Sequence, residues 1–251
     1  MYCYKLTIAY DGTSFSGWQI QPNGPSIQQH IQDILNLLLH RTDVNIIGSG
    51  RTDAGVHAKG QVAHFKHPEP LDLERTLYSL NGLLPHDIRV INLEKTSDNF
   101  HAQRSAMGKE YHYYIHLDRV MDPMRRLYCW HLHRKLDLAL LTRAAQCFVG
   151  THDFTSFANE AHLGSASKDP IRTLRRLEIK SVDGGICLEF EGNGFLYKMV
   201  RNIVGTLVDV ATHKLSIEDI PKIFVAKDRR QASSAAPPQG LFLMKVDYIE
   251  D

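Results

Sequence analysis

Apolar residues along this chain recur with a period of two, then of about 3.6, then of two again, and the whole succession occurs twice. Within Cys3–Tyr10 the residues Tyr4, Leu6, Ile8 and Tyr10 alternate, which predicts a strand. Ser26-x-x-Gln29 is a capping box, and Ile27, Ile31, Ile34, Leu35 and Leu38 behind it keep helical spacing. Short strands are expected near Val44–Ile47 and Val62–His67. A second helix from Asp72 to Leu83 stops at Pro85, and a strand over Ile88–Leu93 follows. The second half repeats the order. Tyr111, Tyr113, Ile115 and Leu117 alternate, and Leu138, Leu141, Ala145 and Phe148 share a helix face. Strands at Arg172–Val182 and Ile186–Glu191 flank the hairpin signal Asp183-Gly184-Gly185. An apolar helix over Leu196–Thr212, a shorter one after Ser216 and a closing strand at Leu241–Ile249 complete it.

Two β-α-β-β-α-β units limit the possible architectures. They predict an α+β fold of two ferredoxin-like halves, residues 1–104 and 105–251, with mainly antiparallel sheets and helices on one side. A central interdomain cleft is expected to hold the site. Hydrophobic content of 43% and charged content of 23% suit a soluble globular protein. The four cysteines form no Cys-x-x-Cys pair, and no apolar run approaches membrane-spanning length, so a cytoplasmic protein is expected. A net charge of +1 permits a nucleic-acid partner without suggesting one. The clusters Arg172/Arg175/Arg176, Arg125-Arg126 and Arg229-Arg230 could serve phosphates or be solvated faces.

Two segments break the periodic pattern. Gly48-Ser49-Gly50-Arg51-Thr52-Asp53-Ala54-Gly55-Val56-His57-Ala58 suits neither helix nor strand, because glycine weakens both. Such a turn either presents Asp53 to a ligand or lets its carboxylate close an Asx-turn. In Gly192–Asn202 a strand passes into the most apolar helix, with Lys198 and Arg201 three residues apart near its start. Cations there oppose the helix dipole. Either they serve a function, or Lys198 snorkels while Arg201 caps a carbonyl. Tyr111, Tyr113 and Tyr114 could stack on bases, although at least two of them read as core.

Other chemistries find little support. The fourteen histidines include no His-Glu-x-x-His and no Cys/His quartet, and His112 and His116 lie too far apart along a strand to share a tetrahedral metal. A Walker loop, a dinucleotide fingerprint and a Gly-x-Ser-x-Gly elbow are all missing from the sequence.

Ser49-Gly50-Arg51-Thr52-Asp53-Ala54-Gly55-Val56-His57-Ala58 resembles the signature loop of the bacterial tRNA pseudouridine synthase A family. The resemblance continues through Tyr10-Asp11-Gly12-Thr13, Gly17-Trp18-Gln19, Leu84-Pro85-x-Asp87-Ile88 and Phe100-His101-Ala102. It runs on through Lys109-x-Tyr111-x-Tyr113, Asp153-Phe154-Thr155-Ser156-Phe157, Met199–Gly205 and Ala236-Pro237-x-x-Gly240-Leu241. The resemblance implies conversion of uridine to pseudouridine at positions 38, 39 and 40 of the tRNA anticodon stem-loop, without cofactor or metal, by a homodimer in which one tRNA touches both subunits. It also implies Asp53 as nucleophile, Arg51 as the residue that helps turn the base out, Tyr111 as the stacking partner of the uracil and Arg201 as the partner of Asp53. Lys198 is expected to serve phosphates. The chain departs from the family at Gln103, where arginine commonly follows Phe-His-Ala, with Arg104 one place on. On a strand that displacement would turn the side chain to the other face. Glu110, where basic residues are frequent, is expected to weaken attraction for the RNA backbone. A non-catalytic RNA-binding module and a metal-dependent hydrolase are the alternatives.

Overall fold

The structure is a computed structural model and describes residues 1–159 and 169–249. The chain forms two compact units, Met1–Met107 with Phe242–Asp251, and Gly108–Leu241. Both are α+β, and their sheets are mostly antiparallel.

In the first unit β1 (Tyr2–Tyr10) lies between β3 (His57–His67) and β4 (Ile88–Thr96), antiparallel to each. Alternation buries Tyr4, Leu6, Ile8 and Tyr10, as the sequence pattern requires. Helix α1 (Ile27–Leu38) opens on Ser26, whose Oγ accepts from the Gln29 amide, and turns Ile27, Ile31 and Leu35 inward. Asp72 caps α2 (Leu73–Leu83) in the same way. The strand expected at Val44–Ile47 is only β2 (Ile47–Gly48), paired with His64 and Ala63 of β3. The amide of Val44 bonds instead to the Asn36 side chain and that of Ile46 to the Gln32 side chain, so this stretch is spent on α1.

The second unit orders its strands β5 (Ala106–His116), β9 (Gly185–Gly192), β8 (Ile171–Val182) and β7 (Gly150–Asp153), each antiparallel to the next. A short β6 (Trp130–His131) runs parallel to β5. Helix α3 (Leu138–Gln146) packs on α4 (Met199–Ala211), and α5 (Asp219–Ala226) follows. Helix α4 starts three residues later than Leu196, because the backbone at Lys198 is left-handed (φ 59°). The last strand, β10 (Leu241–Tyr248), pairs parallel with β3, a pairing that the two-half pattern does not anticipate, and groups almost wholly with the first unit. The alternation in β10 shows that it is a strand but carries no information about its neighbour. None of the helices among the described residues is long and apolar enough to cross a membrane.

Candidate active site

The signature loop leaves β2 at Gly48 and joins β3 at His57, so its last two residues are already strand. The first anchor is Gln61, fully buried on β3. Its Oε1 accepts from Ser49 Oγ at 2.7 Å, and its Nε2 donates to the Gly50 carbonyl at 3.1 Å. Thr52 is held from two directions: its hydroxyl shares a 2.8 Å hydrogen bond with Tyr10 Oη, and its carbonyl accepts from the Trp18 amide at 3.1 Å. Burial pushes the Tyr10 phenol up, so this hydrogen-bonded pair is uncharged. Asp53 and Val56 close a tight turn, with the Val56 amide donating to the Asp53 carbonyl at 3.1 Å. The Asp53 side chain is half-buried and Arg51 is exposed.

The other motifs of this unit frame the loop. Gly17 has φ +99°, and a Cβ there would stand 2.5 Å from the Thr52 carbonyl oxygen. Only glycine lets Trp18 reach Thr52. His57, 1% exposed, stacks on Phe242 at 4.6 Å and lies within 3.0 Å of the Gly12 amide and 3.1 Å of an Asp11 oxygen. His64, opposite Ile47 of β2, accepts from the Ala102 amide at 3.2 Å and so ties the Phe100-His101-Ala102 turn to the sheet.

Burial, and then the neighbouring His101, lower the His64 imidazole to about 4 from 6.5. The folded state therefore prefers neutral His64. Its contribution is complete above pH 6.5 and is lost as pH falls towards 4, at most about 3 kcal/mol. Urea melts between pH 7 and 4.5 should show this loss, and His64→Gln, which keeps an acceptor, should flatten the slope. An unchanged slope in the variant would assign the acid sensitivity elsewhere.

In the second unit Tyr111, 8% exposed, meets Phe195 edge-to-face at 5.0 Å. Tyr113 on the same strand face is fully buried, and its hydroxyl donates to the Pro237 carbonyl at 2.8 Å, which makes it structural. Tyr114 points to the opposite face, beside His112. Arg201 and Ala236 are joined twice, by the guanidinium Nε to the Ala236 carbonyl at 2.7 Å and by the Ala236 amide to the Arg201 carbonyl at 2.9 Å. Gly205, one turn on, lies against the same segment, where a Cβ would meet the Ser234 carbonyl oxygen at 1.9 Å. Helical spacing does not relate Lys198 to Arg201, because only Arg201 lies within α4. Lys198 stands before the helix, and its ammonium lies 5.1 Å from the centre of the Tyr197 ring.

A family model described as tRNA pseudouridine synthase matches residues 6–103 and 144–249. The chain belongs to the tRNA pseudouridine synthase family. It is 66% identical to "tRNA pseudouridine synthase A 1" of Protochlamydia amoebophila (strain UWE25), an alignment covering 99% of this chain and 97% of that one. With "tRNA pseudouridine synthase A" of Chlamydia muridarum (strain MoPn / Nigg) it shares 46% identity over 97% of this chain and 91% of that one. With the namesake of Limosilactobacillus reuteri (strain DSM 20016) it shares 42% over 99% and 97%. A solved structure titled "Crystal Structure of a Cbf5-Nop10-Gar1 Complex" overlays at TM-score 0.34 and 13% identity, covering 97% of this chain and 59% of that one, too loosely to carry weight. This tRNA pseudouridine synthase is thus an isomerase of tRNA uridine.

Several features of the synthase depart from what its sequence suggested. Gln103 and Arg104 occupy a turn, where both amides lie 3.3 Å from His101 Nδ1, so no strand face separates them. Glu110 alternates away from Tyr111 and is met by His112 at 2.7 Å and Arg176 at 3.3 Å. The arginine clusters are largely committed to protein partners. Arg176 faces Glu110, Glu178, Glu189 and Glu191, Arg230 is bound to Asp228, Arg125 to Asp183, and Arg229 to Asn202 and Asn159. Lys109 belongs to the Lys109-x-Tyr111-x-Tyr113 motif. It shares the Tyr111 strand face, and burial followed by Arg172 lowers its ammonium to about 8. Period-two spacing from Tyr111 was the signal that could have singled it out.

Proposed function

We propose that the enzyme converts uridine to pseudouridine at positions 38, 39 and 40 of the tRNA anticodon stem-loop, with Asp53 as nucleophile. The observation that supports this most is the bracing of the signature loop: Gln61, Tyr10 and Trp18 hold Ser49, Gly50 and Thr52, the residues that lead up to a half-buried carboxylate. A fixed backbone with an acid at its turn suits attack on a positioned ribose carbon.

The steps balance without a co-reactant. A carboxylate oxygen of Asp53 attacks C1′ as the N1–C1′ bond breaks, and the bonding pair leaves with the uracil. The uracil rotates and its C5 displaces the carboxylate from C1′. The C5 proton is then lost and N1 gains one. A stem uridine must first leave the helix at a cost of a few kcal/mol. Exposed Arg51 fills the vacated space, and Tyr111 stacks on the extruded base. Arg201 supplies the positive charge that keeps the nucleophile ionised, and Lys198 meets phosphate. The protein acts as a homodimer in the cytoplasm, one tRNA touching both subunits.

The chemistry has a direct assay. Each turnover expels the hydrogen from C5, so tRNA carrying tritium at uridine C5 should release it to water, one equivalent per pseudouridine formed. Retention of tritium through many enzyme equivalents would refute the reaction.

A further inference from the structure

The sheet face of the second unit opposite Tyr111 carries a second set of chemically active side chains. Antiparallel register sets His112 of β5 against Glu189 of β9 and Tyr114 against Cys187. His112, Cys187 and Glu189 therefore point to one side, the face that does not carry Tyr111 and Phe190. One donor atom from each, an imidazole nitrogen, a thiol sulfur and a carboxylate oxygen, all lie within 4.8 Å of one another. Among the described residues no other group of three such side chains comes as close.

We propose that His112, Cys187 and Glu189 form a binding site for a zinc-class divalent cation, separate from the isomerase chemistry. The donor set decides the class, since sulfur with imidazole selects borderline-soft ions over magnesium or calcium. A tetrahedral zinc would bring its donors to about 3.5 Å from one another, a contraction that side-chain rotation within a strand pair can supply. The surroundings match those of a metal centre. Glu110 holds His112 Nε2 at 2.7 Å, which orients the ring, while Nδ1 faces the Tyr114 hydroxyl at 3.4 Å, a contact that an ion on that nitrogen would replace. Arg176 Nη1 holds one oxygen of Glu189 at 2.7 Å and Arg176 Nη2 approaches Glu110 at 3.3 Å, so the carboxylate of the donor set and the one behind His112 are both fixed. Glu110, Glu178, Glu189 and Glu191 outnumber the neighbouring Arg175, Arg176 and Lys180, and the face carries an excess of negative charge. Cys187 is only 2% exposed, which shields a metal thiolate from oxidation. On binding, the thiol gives up its proton to solvent and the fourth position is left to water. The ion would clamp β5 to β9 behind the strand that carries Tyr111.

Cobalt(II) chloride added to the full-length protein tests this. A thiolate–cobalt charge-transfer band should rise in the near ultraviolet and saturate at one equivalent. It should persist in Cys147→Ser and vanish in Cys187→Ser. In His112→Gln the apparent Kd should weaken at least tenfold. Zinc should displace the cobalt and raise the Tm of the wild-type chain but not of Cys187→Ser. Circular dichroism checks the fold of each variant, and if Cys187→Ser does not fold, His112→Gln decides. A wild-type chain with no band, or a band that survives both substitutions, would overturn the site.

Discussion

Asp53→Asn is expected to abolish pseudouridine formation, with a loss of roughly 10⁴-fold or more, as is typical when a covalent nucleophile is removed. The amide has nearly the same shape as the carboxylate, and the hydrogen bonds that brace Ser49, Gly50 and Thr52 are not altered by it. Gln61 anchors Ser49 and Gly50, Tyr10 anchors the Thr52 hydroxyl, and a backbone hydrogen bond closes the Asp53–Val56 turn. Melting temperature and tRNA affinity should therefore stay close to wild type while C5 tritium release disappears. Equal losses of binding and turnover would make Asp53 a binding residue. Normal turnover would remove it from the chemistry.

Gly17→Ala should produce the largest effect of any change outside the reacting groups. Its φ of +99° lies where side chains are strained, and the added methyl would stand 2.5 Å from the Thr52 carbonyl oxygen, a backbone atom that can move only with the loop. Strain and overlap together should cost about 2–4 kcal/mol. The chain can relieve the overlap by moving Trp18 away from Thr52, which breaks the 3.1 Å hydrogen bond and loosens the backbone next to Asp53. Turnover should thus fall more than tenfold even at temperatures where the variant is fully folded, because small misplacements of a nucleophile are costly. A variant with lowered Tm and unchanged kcat would show that Trp18 supports the fold but not the geometry of the site.

The contrast between these two positions shows how far the sequence could be read. Alternation in β1, and the spacing of Ile27, Ile31 and Leu35 behind the Ser26 cap, express burial of one face, a local property, and those elements formed where expected. Pairing is not local. Nothing within Leu241–Tyr248 records that β3 pairs with it, and nothing in Val44–Ile46 shows that Asn36 and Gln32 take its amides. Charge clusters stayed open for the same reason. Arg176 reads equally as a phosphate contact or a solvated side chain until strand register sets four glutamates around it. At the candidate site the unusual glycines marked the loop, and the family resemblance supplied the roles of Asp53, Arg51, Tyr111 and Arg201. Gln61 stayed hidden inside an ordinary strand pattern, because a polar residue facing a core announces itself only when its partners are known. His112, Cys187 and Glu189 lie too far apart in sequence for any ligand-spacing rule.

Which uridines are changed is open to direct measurement. Purified protein should be incubated with a full-length unmodified tRNA transcript bearing uridines at positions 38, 39 and 40 and elsewhere, and every pseudouridine mapped by mass spectrometry. Modification confined to positions 38, 39 and 40, and absent with Asp53→Asn, is the result predicted. Pseudouridine outside the anticodon stem-loop, or at the same positions with Asp53→Asn, would contradict it.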